Sequence, residues 1–287
     1  MEKLTRIMAI VERAEDGAVV VDKAIALARR FHARVELLIT ETVLMQPLAA
    51  LCAVKEYDEV TLCSMQRSGE PIHESILRRV LMSRPDLILK ASAGNHPLRR
   101  LSLTENDWQL ANESPVPVLL VGHRKWAQPT RFAAAISVDD DEAKRVTRRI
   151  LHTAGFLALG CRGNLDLLYS EREQHDERLR MERAVQVAQL VREFHVGCER
   201  LQMFSGAPET TLPPLAASRE YDVLVLGTDG EGGGIASAIR GDLASRMIEA
   251  SDSDVVLVRA ISSAARNGGE ADSSPSKQRF NEAEEIV

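Results

Sequence analysis

Asp222-Val-Leu-Val-Leu-Gly-Thr-Asp-Gly-Glu-Gly-Gly-Gly234 decides how the rest of this chain is read. It opens on an apolar run, Val223 to Leu226, and breaks into a segment with five glycines in eight residues, Gly227 to Gly234. Ile235 to Arg240 follows, then Gly241 to Ala250 with helical spacing, then a second apolar run, Val255 to Val258. Strand, glycine loop, helix, strand is the order of a βαβ unit. A glycine loop after a buried strand bares backbone N–H groups that can hold an anion at the start of the helix.

Upstream, the same alternation runs twice. Leu4 to Val11, Val35 to Ile39, Val60 to Met65, Asp86 to Lys90 and Pro117 to Val121 read as strands. Between them, Ala18 to Phe31, a stretch opened by Pro71, and Thr104 to Leu110 have helical spacing. Glu41 to Tyr57 is loosely helical, because Pro47 lies inside it. Gly122 to Arg131 is polar and aperiodic. The pattern then restarts, with strands at Phe132 to Val138, Leu165 to Tyr169 and Leu201 to Phe204. Helices are expected at Asp141 to Leu157, Glu177 to Phe194 and within Pro208 to Glu220. The segments Asp86 to Val121 and Asp222 to Val258 share one grammar: aspartate, apolar strand, loop, helix, Val/Leu strand.

Two such units predict an α/β protein of two tandem doubly wound five-stranded parallel sheets, with ligands at the carboxyl ends of the strands. The expected divisions are a first domain over 1–122, a linker over 123–131, a second domain over 132–260 and a disordered tail over 261–287. The tail is too rich in Ser, Gly and Glu to offset its ordering entropy. The fifth strands, Pro117 to Val121 and Val255 to Val258, are apolar edges that must be covered. Pairing of the two domains with each other, or of two chains as a homodimer, would cover them.

At 287 residues, 45% apolar and 27% charged, the composition is that of an ordinary globular protein. A net charge of -6 argues against a nucleic-acid surface. Arg78-Arg79, Arg99-Arg100 and Arg148-Arg149 read as solvated helix faces, with a phosphate contact as the alternative. Cys52, Cys63, Cys161 and Cys198 form no C-x-x-C pair, which fits buried thiols in a reducing cytoplasm. No run of about 18 apolar residues is present to span a membrane, and no signal-peptide pattern opens the chain. No nucleophile elbow, Walker loop or zinc-protease helix is found.

Order and motif together resemble the universal stress protein family, in particular its tandem, E-like members, over roughly Leu4 to Arg259. The resemblance rests on Asp86-Leu-Ile-Leu-Lys-Ala-Ser with Thr104-Glu-Asn-Asp-Trp-Gln-Leu, on Val116-Pro-Val-Leu-Leu-Val, and on Leu226-Gly-Thr-Asp-Gly with Gly241 opening the last helix. It implies five-stranded parallel sheets paired through the fifth strand, and a role in stress resistance and regulation rather than catalysis. Partner proteins are left unspecified. Nucleotide-binding members carry G-x2-G-x9-G-[ST]. Gly227 and Gly230 match the first pair, and Gly233 lies in the same loop. The gap to Gly241 is one residue longer than the pattern, and Asp242 stands where Ser or Thr is expected. A carboxylate facing a triphosphate repels it unless a metal intervenes.

By this resemblance Asp139, Gly227, Gly230, Gly233, Gly241 and Asp242 are the candidate nucleotide-binding residues, with Asp139 near the adenine and ribose. The cofactor would be ATP, with magnesium. The first half, with the loop Ala91-Ser-Ala-Gly94-Asn-His-Pro and a single glycine, is expected to bind no nucleotide. Against the nucleotide site stands a bland alternative, a relic loop that turns the chain off the sheet. Slow magnesium-dependent hydrolysis of ATP, or carriage of a lipid or metal, are the competing functions. No catalytic residue and no metal ligand set is assigned. His73 and His96 read as satisfied or solvated, with a transition-metal site shared with Glu74 or Cys63 as the alternative. The acidic triplet Asp139 to Asp141 reads as a helix cap, with a ligand-facing Asp139 as the alternative, and Trp108 as core or interface.

Overall fold

The structure, a computed structural model, describes residues 3–65, 69–92, 103–171, 177–193, 197–228 and 235–259, with the side chains of 235–242 excepted. The expected tail over 261–287 lies outside the described residues.

In chain order the first repeat runs β1 (Arg6–Val11), α1 (Gly17–Phe31), β2 (Arg34–Ile39), α2 (Met45–Val54), β3 (Val60–Ser64), α3 (Ile72–Ser83), β4 (Leu87–Ala91), α4 (Glu105–Glu113) and β5 (Val118–Val121). The second runs β6 (Arg131–Ile136), α5 (Asp141–Gly160), β7 (Asn164–Glu171), α6 (Glu177–Glu193), β8 (Arg200–Ser205), α7 (Pro208–Thr211), α8 (Pro213–Ala217), β9 (Val223–Thr228), α9 (Ile235–Ala250) and β10 (Asp254–Arg259). Pro47 sits in the first turn of α2, where its missing N–H has no intrahelical partner to lose. Pro71 stands just before α3, and Thr104 closes a capping box with Asp107 at the start of α4.

Both repeats have one strand order. The first is β3-β2-β1-β4-β5 and the second, reading from the far edge, is β8-β7-β6-β9-β10, all parallel within each half. An aspartate ties the start of the first strand to the start of the fourth in each. Asp86 Oδ2 accepts from Thr5 N at 2.7 Å and Arg6 N at 3.1 Å, and Asp222 Oδ2 accepts from Arg131 N at 2.9 Å. These are the two aspartates that open the repeated segments in the sequence.

The halves are not two separate sheets. β5 and β10 pair antiparallel, with Leu120 opposite Val255, Leu119 opposite Val256 and Val118 opposite Leu257, so a single ten-stranded sheet results. Leu119 and Val256 are also equivalent positions of the two repeats, so the pairing is symmetric about them. The α/β fold with five parallel strands in each repeat is as expected, but the two sheets are joined into one. Of the two expected covers for the fifth strands, it is the pairing of the repeats with each other that is seen, not a homodimer. A strand has two hydrogen-bonding edges, and both edges of β5 and β10 are used within the chain. The remaining sheet edges are β3 and β8.

Helices cover both faces. One core, containing Leu119, Val121, Val256 and Val258, packs against α1 and α5. The other, containing Val118, Leu120, Val255 and Leu257, packs against α3, α4 and α9. The period of two along β5 and β10 therefore feeds both cores across the junction. Trp108 packs on the second of these cores, as a core or interface residue should.

The expected linker is pinned near its start. Arg124 donates to the Tyr221 and Arg219 carbonyls at 2.8 and 2.9 Å, and Trp126 Nε1 donates to Asp254 Oδ2 at 2.8 Å.

Leu119 is 1% exposed at the centre of the junction. Leu119→Lys places an unpaired charge there and should cost about 4 kcal/mol or more, with a lower urea midpoint. Unchanged stability and unchanged hydrodynamic size would refute the junction as drawn.

Candidate functional site

In a doubly wound sheet a crevice opens where the strand order reverses, here between β1 and β4 and between β6 and β9. In the second repeat the chain leaves β6 through Ser137, Val138 and Asp139. Thr147 Oγ1 of α5 accepts from Ser137 N at 3.0 Å and donates to the Ser137 carbonyl at 2.6 Å, which stitches this turn to the helix. Ser137 Oγ donates to Asp139 Oδ2 at 2.9 Å, and Arg183 of α6 donates to the Val138 carbonyl at 3.0 Å. Of the acidic triplet, Asp140 is the helix cap, accepting from Ala143 N at 2.6 Å. Asp139 stays exposed. Beside it the Tyr169 phenol is pushed upward in pKa, first by burial and then by the charges of Asp139 and Glu171, and it hydrogen-bonds to Asp139.

Gly227 has a packing reason to be glycine. A Cβ there would lie 2.6 Å from Val146 Cγ1 and 3.3 Å from Ile150 Cδ1, so α5 rests directly on the β9 backbone. Next to it is a hollow of about 70 Å³ lined by Ser137, Asp139, Val146, Thr147, Ser170 and Gly227. Small-molecule pockets are about 300–1,000 Å³, so this hollow takes a fragment of a ligand, not a nucleotide.

Gly230 and Gly233 lie outside the described residues. α9 begins at Ile235, so Gly241 and Asp242 stand inside the helix and not at its opening as expected. Ile235 to Arg240 contains no helix breaker, which lets the helix start a full turn and more before Gly241. The backbone N–H groups left unbonded by a helix are those of its first four residues, so those of Gly241 and Asp242 belong to the helical ladder. The structure thus brings Asp139 and Gly227 to one hollow and leaves Gly241 and Asp242 in a helix.

In the first repeat the equivalent crevice is filled by the chain itself. Lys90, next to the last residue of β4, is 5% exposed and pairs with Asp107 of α4 and, at 3.0 Å, with Glu12 just past β1. Asp107 Oδ2 also accepts from Thr104 N at 2.9 Å and Thr104 Oγ1 at 2.8 Å. Burial alone would lower the Lys90 pKa; the charges of Asp107 and Glu12 outweigh it, and the net direction is upward. The sequence reading missed this cluster. Its signal was a lysine inside the otherwise apolar run Asp86-Leu-Ile-Leu-Lys90, where a parallel strand buried on both faces has no water to offer a charge.

His73 Nδ1 lies 3.0 Å from Asn106 Oδ1, and Cys63 Sγ accepts from Arg79 at 3.4 Å; His96 is outside the described residues. Among the described residues no group of three or more His, Cys, Asp and Glu side chains could hold a metal ion. All four cysteines are free, and burial pushes the Cys161 thiol up to about 11.

Residues 130–259 match the universal stress protein family. Over 181 residues the chain is 24% identical to the universal stress protein E homolog of Haemophilus influenzae, covering 57% of this chain and 58% of that protein. Over 204 residues it is 22% identical to universal stress protein E of Escherichia coli K12, covering 65% and 64%. The chain therefore matches less than two thirds of the length of these relatives. A crystal structure from Pseudomonas aeruginosa UCBPP-PA14, assigned to the same family, superposes with a TM-score of 0.74 over 90% of this chain and 94% of that one at 21% identity, a likeness of fold.

Gly227→Ala should destabilise by about 1–3 kcal/mol through overpacking, and Val146→Ala in the same chain should recover part of it. A loss that Val146→Ala does not relieve would contradict the packing role. Lys90→Met leaves Glu12 and Asp107 without their cation and should cost about 3–5 kcal/mol. Because the Lys90 pKa is raised on folding, its contribution is complete below the unfolded value of about 10.4 and is lost as pH rises through the folded one. Wild type and Lys90→Met should therefore converge in stability in that alkaline window.

Proposed function

We propose that the chain, which matches the universal stress protein family over residues 130–259, is a cytoplasmic two-repeat member of that family that works in the stress response as a binding and regulatory module and not as an enzyme. Its units are the repeats over 1–122 and 132–260, joined by 123–131 and docked as an intramolecular pseudo-dimer. One observation carries the reading. The crevice of the first repeat is occupied by its own Lys90, Glu12 and Asp107, and that of the second is narrowed by Val146 lying on Gly227. A site that turns over a substrate needs room for it and groups free to move protons. The free, buried thiol of Cys161 supports a reducing compartment.

A second reading is an adenine-nucleotide site, with magnesium, in the second repeat alone. What favours it is Asp139, exposed at the carboxyl end of β6 and bordering the hollow, with the glycine stretch following β9. Asp139 would meet the nucleoside end of the ligand, and the loop holding Gly230 and Gly233 would meet its phosphates. Magnesium would offset the acidic residues of that loop.

Equilibrium dialysis with labelled ATP, with and without magnesium, together with a turnover assay, tests both. The module reading expects turnover indistinguishable from buffer. Retention of ATP that disappears in Asp139→Ala and persists in Lys90→Met would establish the second reading. Saturable hydrolysis lost in Asp139→Ala would overturn the non-enzymatic one.

A further inference from the structure

The internal repeat lets one end of the β5–β10 junction be compared with the other. Buried positions Val20, Val21, Ala24 and Ile25 of α1 recur as Val146, Thr147, Ile150 and Leu151 of α5, which superposes Lys23 on Arg149. In the sheet Ile88 pairs with Val118 and its counterpart Leu224 pairs with Val255. That register superposes Pro117 on Asp254 and Gly122 on Arg259.

At the first end a cation meets a carboxylate. Lys23 forms an ion pair with Asp254, which is 1% exposed. Asp254 also accepts from Gly122 N at 2.9 Å and from Trp126 Nε1 at 2.8 Å. At the second end Arg149 takes the place of Lys23, but the carboxylate's place is held by Pro117. A second cation, Arg259, stands where the first end has Gly122. Arg149 donates to the Arg259 carbonyl and, at 3.4 Å, to the Pro115 carbonyl; Arg259 Nη1 donates to the Glu113 carbonyl at 2.7 Å. Arg259 Nε is buried and, among the described residues, has no partner. Among the described residues neither guanidinium pairs with a carboxylate. Burial, and then the charge of Arg259, lowers the Arg149 pKa. Among the described residues, two like charges thus share a half-buried corner with carbonyl dipoles to balance them, an arrangement that an anion relieves.

We propose that Arg149 and Arg259 form a phosphate-class oxyanion site at this end of the junction, the ligand standing where Asp254 stands at the other end. Guanidinium forks match the oxygens of a phosphate, and a dianion balances two positive charges. Bound there, it bridges α5 and β10 of the second repeat and faces the Glu113 to Pro117 segment of the first. Occupancy therefore strengthens the docking of the repeats. The proposal does not depend on the nucleotide reading. Arg259 is in register with Thr228, so the phosphate could come free or as the phosphoryl group of a nucleotide.

The test is the thermal midpoint of the full chain at constant ionic strength with inorganic phosphate, with AMP, and with acetate as the monoanion control. Phosphate should raise the wild-type midpoint by about 4 °C near saturation. Acetate should not, and the shift should vanish in Arg149→Gln with Arg259→Gln. A response to AMP alone that vanishes in the same variant identifies a nucleotide as the source. Pro117→Asp keeps both arginines and restores the missing carboxylate. Its backbone is suited to the change, since the equivalent Asp254 N donates to the Asp222 carbonyl at 3.0 Å. It should raise the midpoint without phosphate and remove the phosphate response. No shift with phosphate or AMP, a shift of equal size in the arginine variants, or a full phosphate response in Pro117→Asp would each overturn the site.

Discussion

Antiparallel hydrogen bonding between β5 and β10 is the constraint on which the rest of this molecule depends. Each repeat alone would end in a four- to six-residue apolar strand with one open edge. Such an edge is a template for pairing with another chain. Facing the two edges together satisfies both sets of backbone groups and buries Leu119 against Val256 at a position of local symmetry. The consequences spread outward. The cores on both faces become continuous across the repeats, and the edges that remain are β3 and β8, whose residues are mostly half-exposed or exposed.

The same symmetry sets the chemistry around the junction and at the crevices. Equivalent positions begin with the same backbone geometry and differ only in side chains. Asp86 and Asp222 kept one role, anchoring the first strand to the fourth. Elsewhere the copies diverged. Lys90 plugs one crevice with charge, while its counterpart Leu226 is an uncharged core residue. Lys23 has Asp254; Arg149 has Pro117. Divergence of this kind gives the two copies different surroundings at equivalent backbone positions, so a family resemblance alone does not fix a ligand.

Local periodicity made most of the architecture legible. The strands and helices follow from apolar residues at periods of two and about 3.6, and the repeat follows from Asp86 and Asp222 opening segments of one pattern. Glycine was harder to read, because its freedom serves turns, ligands and close packing alike. Gly227 carries the first position of a phosphate-binding pattern, yet its neighbour in space is Val146, which no spacing rule connects to it. Gly241 was read as a helix start because a motif places one there, but six helix-compatible residues precede it and the helix takes them in.

By itself, then, the sequence determined the elements, their order, their duplication and the parallel sheet of each half, because those depend on interactions within a few residues and on one apolar face per element. The tertiary structure decided that the two sheets are one, that a lysine closes the first crevice, that a valine explains a glycine, and that two arginines meet with no counter-charge among the described residues. Each of these is a contact between residues tens to more than a hundred positions apart, and such contacts depend on which surfaces come together when the chain packs.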